Sequence, residues 1–276
     1  MKKAKPCPWV LGDRRKNEET DQGPSAAFVE KEYVKNVYDS IANQWHGTRY
    51  KAWPKVESFI KAQRKGSLFG DIGCGNGKNL PACNSVGVGV GCDISVGLAT
   101  IASTARNLEV PVADIMNLPY RSAIFDCVLC IAVLHHISTI DRRVQAISEC
   151  IRVLKVGGSA LFYAWAQEQE GGFSGHRFAE QDVLVPFHLK HDVNKKQKIS
   201  STSSATPTVH NTDVKFAAKH AVFDENKNAT VFQRYCHVYK AGELESLFEK
   251  ACNGSVRIDK VYWDTGNWAI IVTKER

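Results

Sequence analysis

Residues 68–77, LFGDIGCGNG, constrain the fold more tightly than any other stretch of the chain. A short apolar run ends in Asp71 and then breaks into glycines at alternate positions, Gly73, Gly75 and Gly77. The run reads as a buried strand ending at Asp71. The glycines read as a tight turn whose missing Cβ atoms let a ligand lie against the backbone. Lys78 and the residues after it open a helix, whose first N–H groups have no partner inside the helix. A second apolar run, 86–92, ends at Asp93, twenty-two residues after Asp71. An acid at the end of the next strand can take the two hydroxyls of a ribose. The glycines alone are a weak sign of a nucleotide-type site; with Asp93 they become a strong one.

Strands and helices then alternate. A helix is expected around 96–105 and a short third strand at 110–113, ending before Asp114. The run 125–134, FDCVLCIAVL, ends in His135 and His136 and suits a strand covered on both faces. Val144, Ile147, Ile151 and Leu154 share one face of a helix stopped by Gly157 and Gly158, and a fifth strand follows at 160–165. This alternation predicts an α/β fold with a doubly wound, Rossmann-like sheet. Leu244, Leu247 and Phe248 mark a last helix. Two closing strands, 256–263 and 268–273, joined by 264–267, read as an antiparallel hairpin on a mostly parallel sheet.

Ahead of the sheet, Tyr33, Val34, Val37, Tyr38, Ile41 and Trp45 recur at helical spacing, with Tyr33 and Tyr38 read as core. Pro54 suits the first turn of a second helix burying Val56, Phe59 and Ile60. Residues 1–27 are polar and unpatterned, a disordered tail. Residues 187–228, which include KKQKISSTSSATPT, read as a disordered basic insertion in a domain spanning 28–276.

No apolar run approaches the ~20 residues of a membrane span. The N-terminus has basic residues but no apolar core of a secretory signal, so the nine cysteines are expected as reduced thiols in the cytoplasm or nucleus. Cys127 and Cys130 lie three apart on a strand and point to opposite faces, so no metal site is expected there or elsewhere. The charge of 36 − 29 = +7 permits a polyanionic partner such as RNA.

The D-x-G-x-G-x-G spacing with Asp93 resembles motif I of class I S-adenosylmethionine (AdoMet) methyltransferases. The resemblance narrows with EKEYVKNVYDSIA, TRYKAWPKV, IAVLHHIST with two arginines shortly after, RVLKVGGSALFYAWAQEQ, QDVLVPFHLK, RYCHVYKAGEL and GNW. Together these are similar to the eukaryotic tRNA wobble-uridine carboxyl methyltransferases, which include the methyltransferase domain of the AlkB-homologue tRNA enzymes. Apart from the insertion, the resemblance runs from about residue 30 to the C-terminus. Val156 stands where the family pattern has a proline, and His46-Gly47 and Phe173-Ser174 match no family motif. Family resemblance implies methylation of 5-carboxymethyluridine in the tRNA anticodon loop to 5-methoxycarbonylmethyluridine. It also implies AdoMet as cofactor and a small zinc-binding activator protein as partner. Longer family members add RNA-recognition and oxygenase domains; a leader of roughly 28 residues is too short for either, since domains start near about 50 residues.

Such a reaction uses a nucleophile already ionised at neutral pH, so it needs alignment and cations rather than a general base. Gly73, Gly75 and Gly77 are expected along the methionine end of AdoMet, with Asp71 fixing the loop or meeting the ammonium. Asp93 takes the ribose, and Asp114 either accepts from the adenine amino group or caps the turn before Ile115. His135 is placed where substrate and methyl group meet, with His136 beside it. Arg142 and Arg143 are candidates for the uridine carboxylate or a tRNA phosphate. Arg49, near Tyr50 and Trp53, is a candidate clamp for the AdoMet or substrate carboxylate. Trp165 is placed to stack on the flipped base. His237 and Tyr239, beside Arg234, rank behind these. Two alternatives share the fold: a small-molecule methyltransferase with an apolar pocket, and a catalytically weak regulatory protein. Damage to the glycine turn or loss of Asp93 would favour the second, and neither is seen.

Overall fold

A computed structural model describes residues 4–9, 24–49, 51–169, 176–191 and 220–276. In chain order the elements are β1 (Lys5–Pro6), α1 (Ala26–Glu30), a π-helical turn (Lys31–Lys35), α2 (Asn36–His46), α3 (Pro54–Lys61), β2 (Leu68–Ile72), α4 (Leu80–Val86), β3 (Val88–Cys92) and α5 (Val96–Arg106). They continue with β4 (Phe125–Ile131), a 3₁₀ turn (Leu134–His136), α6 (Ile140–Val153), β5 (Leu154–Trp165), β6 (Asp182–Lys190), β7 (Val222–Asp224), β8 (Ala229–His237), α7 (Glu243–Cys252), β9 (Val256–Asp264) and β10 (Asn267–Lys274).

The main sheet has the order β3-β2-β4-β5-β10-β9, parallel from β3 to β5 and antiparallel at the β10–β9 hairpin. The hairpin turn places Thr265 and Gly266 both at positive φ (49° and 77°), the primed turn that matches strand twist. Strand β4 shows why its sequence is apolar throughout. Cys127, Leu129 and Ile131 pack on Val56, Ile60 and Cys83 of α3 and α4, while Val128 and Cys130 pack with Ile147, Cys150 and Phe248 of α6 and α7. Cys127 and Cys130 therefore do point apart.

Three expectations are corrected by backbone chemistry. Residues 110–113 form no strand beyond an isolated Asp93–Val112 bridge, because Pro111 has no N–H to extend a ladder. Helix α6 ends at Val153 rather than at the glycines. The N–H groups of Ala123 and Ile124 take the carbonyls of Arg152 and Val153, and Leu154 joins the sheet opposite Phe125. Strand β5 therefore begins at Leu154, six residues earlier than expected, and Gly157 and Gly158 lie inside it.

The larger correction is a second, four-stranded antiparallel sheet with the order β1-β6-β8-β7. Residues 187–190 and 222–224, assigned to the disordered insertion, are strand; 192–219 lie outside the described residues. The expected tail is cut at both ends, since Lys5–Pro6 pairs with β6 and α1 starts at Ala26 under a Ser25 cap; 10–23 lie outside the described residues. The N-terminal helices join the two sheets. Val29, Tyr33 and Val34 pack on Leu184 and Tyr235, Val37 and Ile41 pack on Phe232, and Ala42 packs on Leu98 and Ile101 of α5. The apolar stripe read from the sequence is thus covered by the second sheet and by α5.

Candidate active site

The carboxyl ends of β2 to β5, the N-terminal helices and β8 enclose one pocket. Its cofactor-type half begins after β2. Gly73 has φ +71°, and a Cβ there would lie 2.4 Å from Val133 Cγ2. Gly73 and Gly75 both line the pocket. Gly77 does not; it packs on Leu108 behind the loop and holds the turn instead of touching a ligand.

Asp93 is the structural centre of this half. One carboxylate oxygen accepts the Gly75 N–H at 2.7 Å and the other accepts the Ser95 N–H at 2.8 Å. Burial pushes its pKa up from 3.8 to about 6, opposed by those two hydrogen bonds. Asp71 is buried beneath the loop, outside the pocket wall. It accepts from the Asn79 amide at 3.2 Å and 3.4 Å, and burial raises it to about 7. It supports the loop rather than meeting a ligand. Asp114 lines the pocket and also accepts the Met116 N–H at 2.9 Å, so its turn role and its wall role coexist.

Arg49 and Lys78 close the glycine end. The Arg49 guanidinium lies over Trp45 at 5.5 Å and donates only to Thr48 among the described residues. The Lys78 amino group lies over Trp53 at 4.5 Å; burial and the Arg49 charge lower it to about 8. Asn76 binds the Arg49 carbonyl and His46, fixing the turn after α2, while its Oδ1 and that of Asn79 have no partner among the described residues. These features fit AdoMet: Asp93 for the ribose hydroxyls, apolar Ile94, Leu98 and Ile115 flanking a base, and Arg49, Lys78 and the Asn79 amide for the amino-acid end.

The ribose contact needs the ionised form of Asp93, since a protonated carboxyl loses an acceptor. Cofactor affinity is therefore expected to fall about tenfold between pH 7.5 and pH 5, following a carboxyl near 6. Folding stability has the opposite sign. The contribution of this raised carboxyl is full below 3.8 and lost as pH rises through about 6. Calorimetric titration across that range checks the affinity, and Asp93→Asn should flatten the profile.

The other half of the pocket faces the second sheet. His135 stacks on Trp165 with centroids 4.9 Å apart and accepts the Trp165 N–H at 3.4 Å. His136 meets the Tyr235 carbonyl through Nδ1 at 2.8 Å and the Tyr38 hydroxyl through Nε2 at 2.9 Å. A carbonyl only accepts, so Nδ1 carries the proton and Nε2 takes the hydroxyl hydrogen. Burial holds both rings neutral, lowering His136 to about 3 and His135 well below its usual range. Neither ring acts as a cation.

Arg142 and Arg143 are not in the pocket wall. Arg142 grips Glu30 with Nε at 2.9 Å and Nη2 at 2.6 Å, and Glu30 also accepts from Ser138, so the pair latches α1 onto α6. Arg143 is buried, donates to the Ile137 and Ser138 carbonyls, and lies 3.7 Å from Asp182. Both arginines found acids that the sequence did not place beside them. Arg142→Ala should therefore loosen residues 26–46, with faster amide exchange there and a several-fold weaker AdoMet affinity. A loss confined to substrate KM would contradict the latch. His237 is held between Asp182 at 3.0 Å and Glu243 at 2.7 Å, and Tyr239 donates to the Leu134 carbonyl, so both are structural.

The residue that sequence reasoning missed is Arg234. It lines the pocket, with its guanidinium 5.7 Å from the centroid of Trp165 and 5.6 Å from that of Phe187. Its signal was present: Phe232, Arg234 and Cys236 share one face of a strand, and a cation on an apolar face is unusual. His135, His136 and Cys236 bring ligand atoms within 4.8 Å of one another, the one such set among the described residues. The Arg234 charge bears on all three and disfavours a cation there.

Residues 70–162 match the family model for a methyltransferase domain. The chain is 39% identical over 252 residues to the tRNA (carboxymethyluridine(34)-5-O)-methyltransferase of Schizosaccharomyces pombe, covering 89% of this chain and 97% of that one. It is 34% identical over 283 residues to tRNA (carboxymethyluridine(34)-5-O)-methyltransferase alkbh8 of Xenopus tropicalis, covering 90% of this chain but only 42% of that longer one. Among solved structures, it superposes with a TM-score of 0.52 on a chain of the complex between the Haloferax volcanii Trm112 methyltransferase activator and a methyltransferase. That match has 12% identity and covers 88% of this chain and 98% of that one. At such identity the likeness is one of fold.

Proposed function

The chain belongs to the family of tRNA (carboxymethyluridine(34)-5-O)-methyltransferases, and from that membership we propose that it esterifies the carboxylate of 5-carboxymethyluridine at the tRNA wobble position. The observation that carries this reading is the composition of the pocket. Asp93, the glycine turn, Arg49 and Lys78 supply a nucleoside-type half closed by cations, while Arg234 and Trp165 supply a second cationic, aromatic half on the same cavity.

AdoMet, when bound, supplies an electrophilic methyl carbon on a sulfonium. A carboxylate acceptor is ionised at neutral pH and brings its own electron pair, so its methylation would ask for no general base from this chain. No proton need move, which agrees with two neutral histidines at the meeting point and with the pocket carboxylates Glu30, Asp93 and Asp114 each being held by other donors. The work left to the chain is alignment and exclusion of water. Trp165 and His135 offer stacked faces to a base turned out of the anticodon loop. Asp93 fixes the ribose of the cofactor, and the α1–α2 segment covers both ligands.

The tRNA anticodon loop and a small zinc-binding activator are the proposed partners. The activator rests on the resemblance, with a fold neighbour drawn from a Trm112 complex as support. No helix among the described residues is long and apolar enough to cross a membrane. A cytoplasmic or nuclear location is proposed on the nine free cysteines.

The test is incubation of the protein and activator with AdoMet and tRNA carrying 5-carboxymethyluridine, followed by nucleoside mass spectrometry. Conversion to the methyl ester supports the reading. Unmethylated tRNA from a protein that binds AdoMet overturns it.

A further inference from the structure

We propose that Arg234 is the receptor for the substrate carboxylate, and that its free guanidinium edge is what makes the pocket select an acid over its neutral amide. This deepens the reading above and rests on it for the identity of the acid.

Arg234 is only 7% exposed, yet no carboxylate lies within ion-pair distance of it among the described residues. The other two arginines of this region do have acids, Arg142 on Glu30 and Arg143 near Asp182. A guanidinium removed from water without a counter-ion costs several kcal/mol. Cation–π contact with Trp165 and Phe187 offsets part of that cost and leaves the charge itself uncompensated.

The donors show where an anion belongs. Nη1 donates to the Tyr38 hydroxyl at 3.4 Å, while Nε is buried with no partner among the described residues. Nε and Nη2 form the side-on edge of a guanidinium, the same edge with which Arg142 holds Glu30. Arg234, in the pocket wall, thus keeps unpaired the edge that fits a planar carboxylate bidentately. A carboxylate offers about four lone-pair sites, so two remain for attack when the edge is filled.

Arg49 lies on a different wall. Its backbone is tied to Asn76 of the glycine turn, and its charge lowers Lys78 of that turn. Arg234 is tied to Tyr38 of α2 and lies over Trp165 at the carboxyl end of β5. The two arginines therefore divide two anionic groups: Arg49 serves the glycine end and Arg234 serves the end beside His135. The Arg234 charge bears on His135 and His136 of the substrate half, and also on Arg49 across the pocket.

Two measurements test this. The first is turnover of tRNA carrying 5-carboxymethyluridine by wild type, Arg234→Gln and Arg234→Lys, with AdoMet affinity measured on each. Loss of one charge-assisted pair predicts kcat/KM down about 10- to 100-fold in Arg234→Gln, with AdoMet affinity kept. Arg234→Lys keeps the charge without the fork and should fall between; it decides the matter if Arg234→Gln fails to bind AdoMet. The second measurement is binding of the free nucleosides 5-carboxymethyluridine and 5-carbamoylmethyluridine by NMR. Wild type should prefer the acid by about tenfold or more, and Arg234→Gln should not discriminate. If Arg234→Gln keeps its turnover or its preference while wild type is active, the receptor assignment is wrong and the methyltransferase reading stands. If wild type is inactive on tRNA yet prefers the acid through Arg234, the methylation reading is wrong and the receptor stands.

Discussion

Asp93→Ala is expected to weaken AdoMet binding by at least about a hundredfold, enough to make it unmeasurable at ordinary concentrations. The carboxylate has three tasks. It accepts the Gly75 N–H, it accepts the Ser95 N–H, and it faces the pocket where a ribose would lie. Removing it strands two buried N–H donors at about 1–3 kcal/mol each, and frees the glycine turn to relax. Stability without ligand should change much less, because the same substitution also removes a carboxylate whose burial is unfavourable. Asp93→Asn keeps one acceptor and should bind between the two. An Asp93→Ala protein with AdoMet affinity within threefold of wild type would contradict the assignment of this half of the pocket.

Gly87→Ala is expected to produce the largest loss of stability for a single added methyl. Gly87 has φ −159° and ψ −124°, and the obstacle to an added side chain is space. A Cβ there would lie 1.9 Å from the Ser67 carbonyl oxygen and 2.8 Å from the Ser67 nitrogen. Those are backbone atoms and cannot rotate away. Ser67 also accepts the Val88 N–H at 3.0 Å, which starts the β2–β3 pairing. Overpacking of this kind costs about 3 kcal/mol, or a drop in Tm of about 6–12 °C for a chain of this size. Thermal unfolding of the purified variant checks it, and a Tm within a degree of wild type would show that the α4–β3 junction yields more easily than its geometry suggests.

What the sequence revealed, and what it hid, separates by range. Gly73, Asp93 and Asp114 lie where a local reading puts them, because a strand end followed by a glycine turn is written in about ten consecutive residues. The hairpin at 264–267 is legible for the same reason. Arg142 was visible as a cation, but its acid, Glu30, lies 112 residues earlier, and nothing local announces that pairing. Strands β6 and β8 pair along their whole length from Asp182–His237 to Lys190–Ala229. Each alone carries so many polar residues, among them His188, Gln233 and Arg234, that its alternation is blurred. Of these three, Arg234 is the one in the pocket wall. The same substitution of charge for hydrocarbon that builds the substrate half erases the pattern by which a strand is recognised.

The second sheet has a consequence for how such a chain can change over generations. The general methyltransferase match stops at residue 162, before β6 and β8 begin. Much of the equipment for holding the methyl donor, from the glycine turn to Asp114, lies in that matched block with Arg49 ahead of it, while the arginine proposed to meet the acceptor comes from the later β6–β8 pair. The two sets of constraints are therefore partly separable, with His135 a substrate-half residue that lies inside the matched block. Mutation can retune which molecule receives the methyl group without retesting how the donor is held, and Tyr38, which touches His136 on one side and Arg234 on the other, is the narrow seam where the two histories must agree.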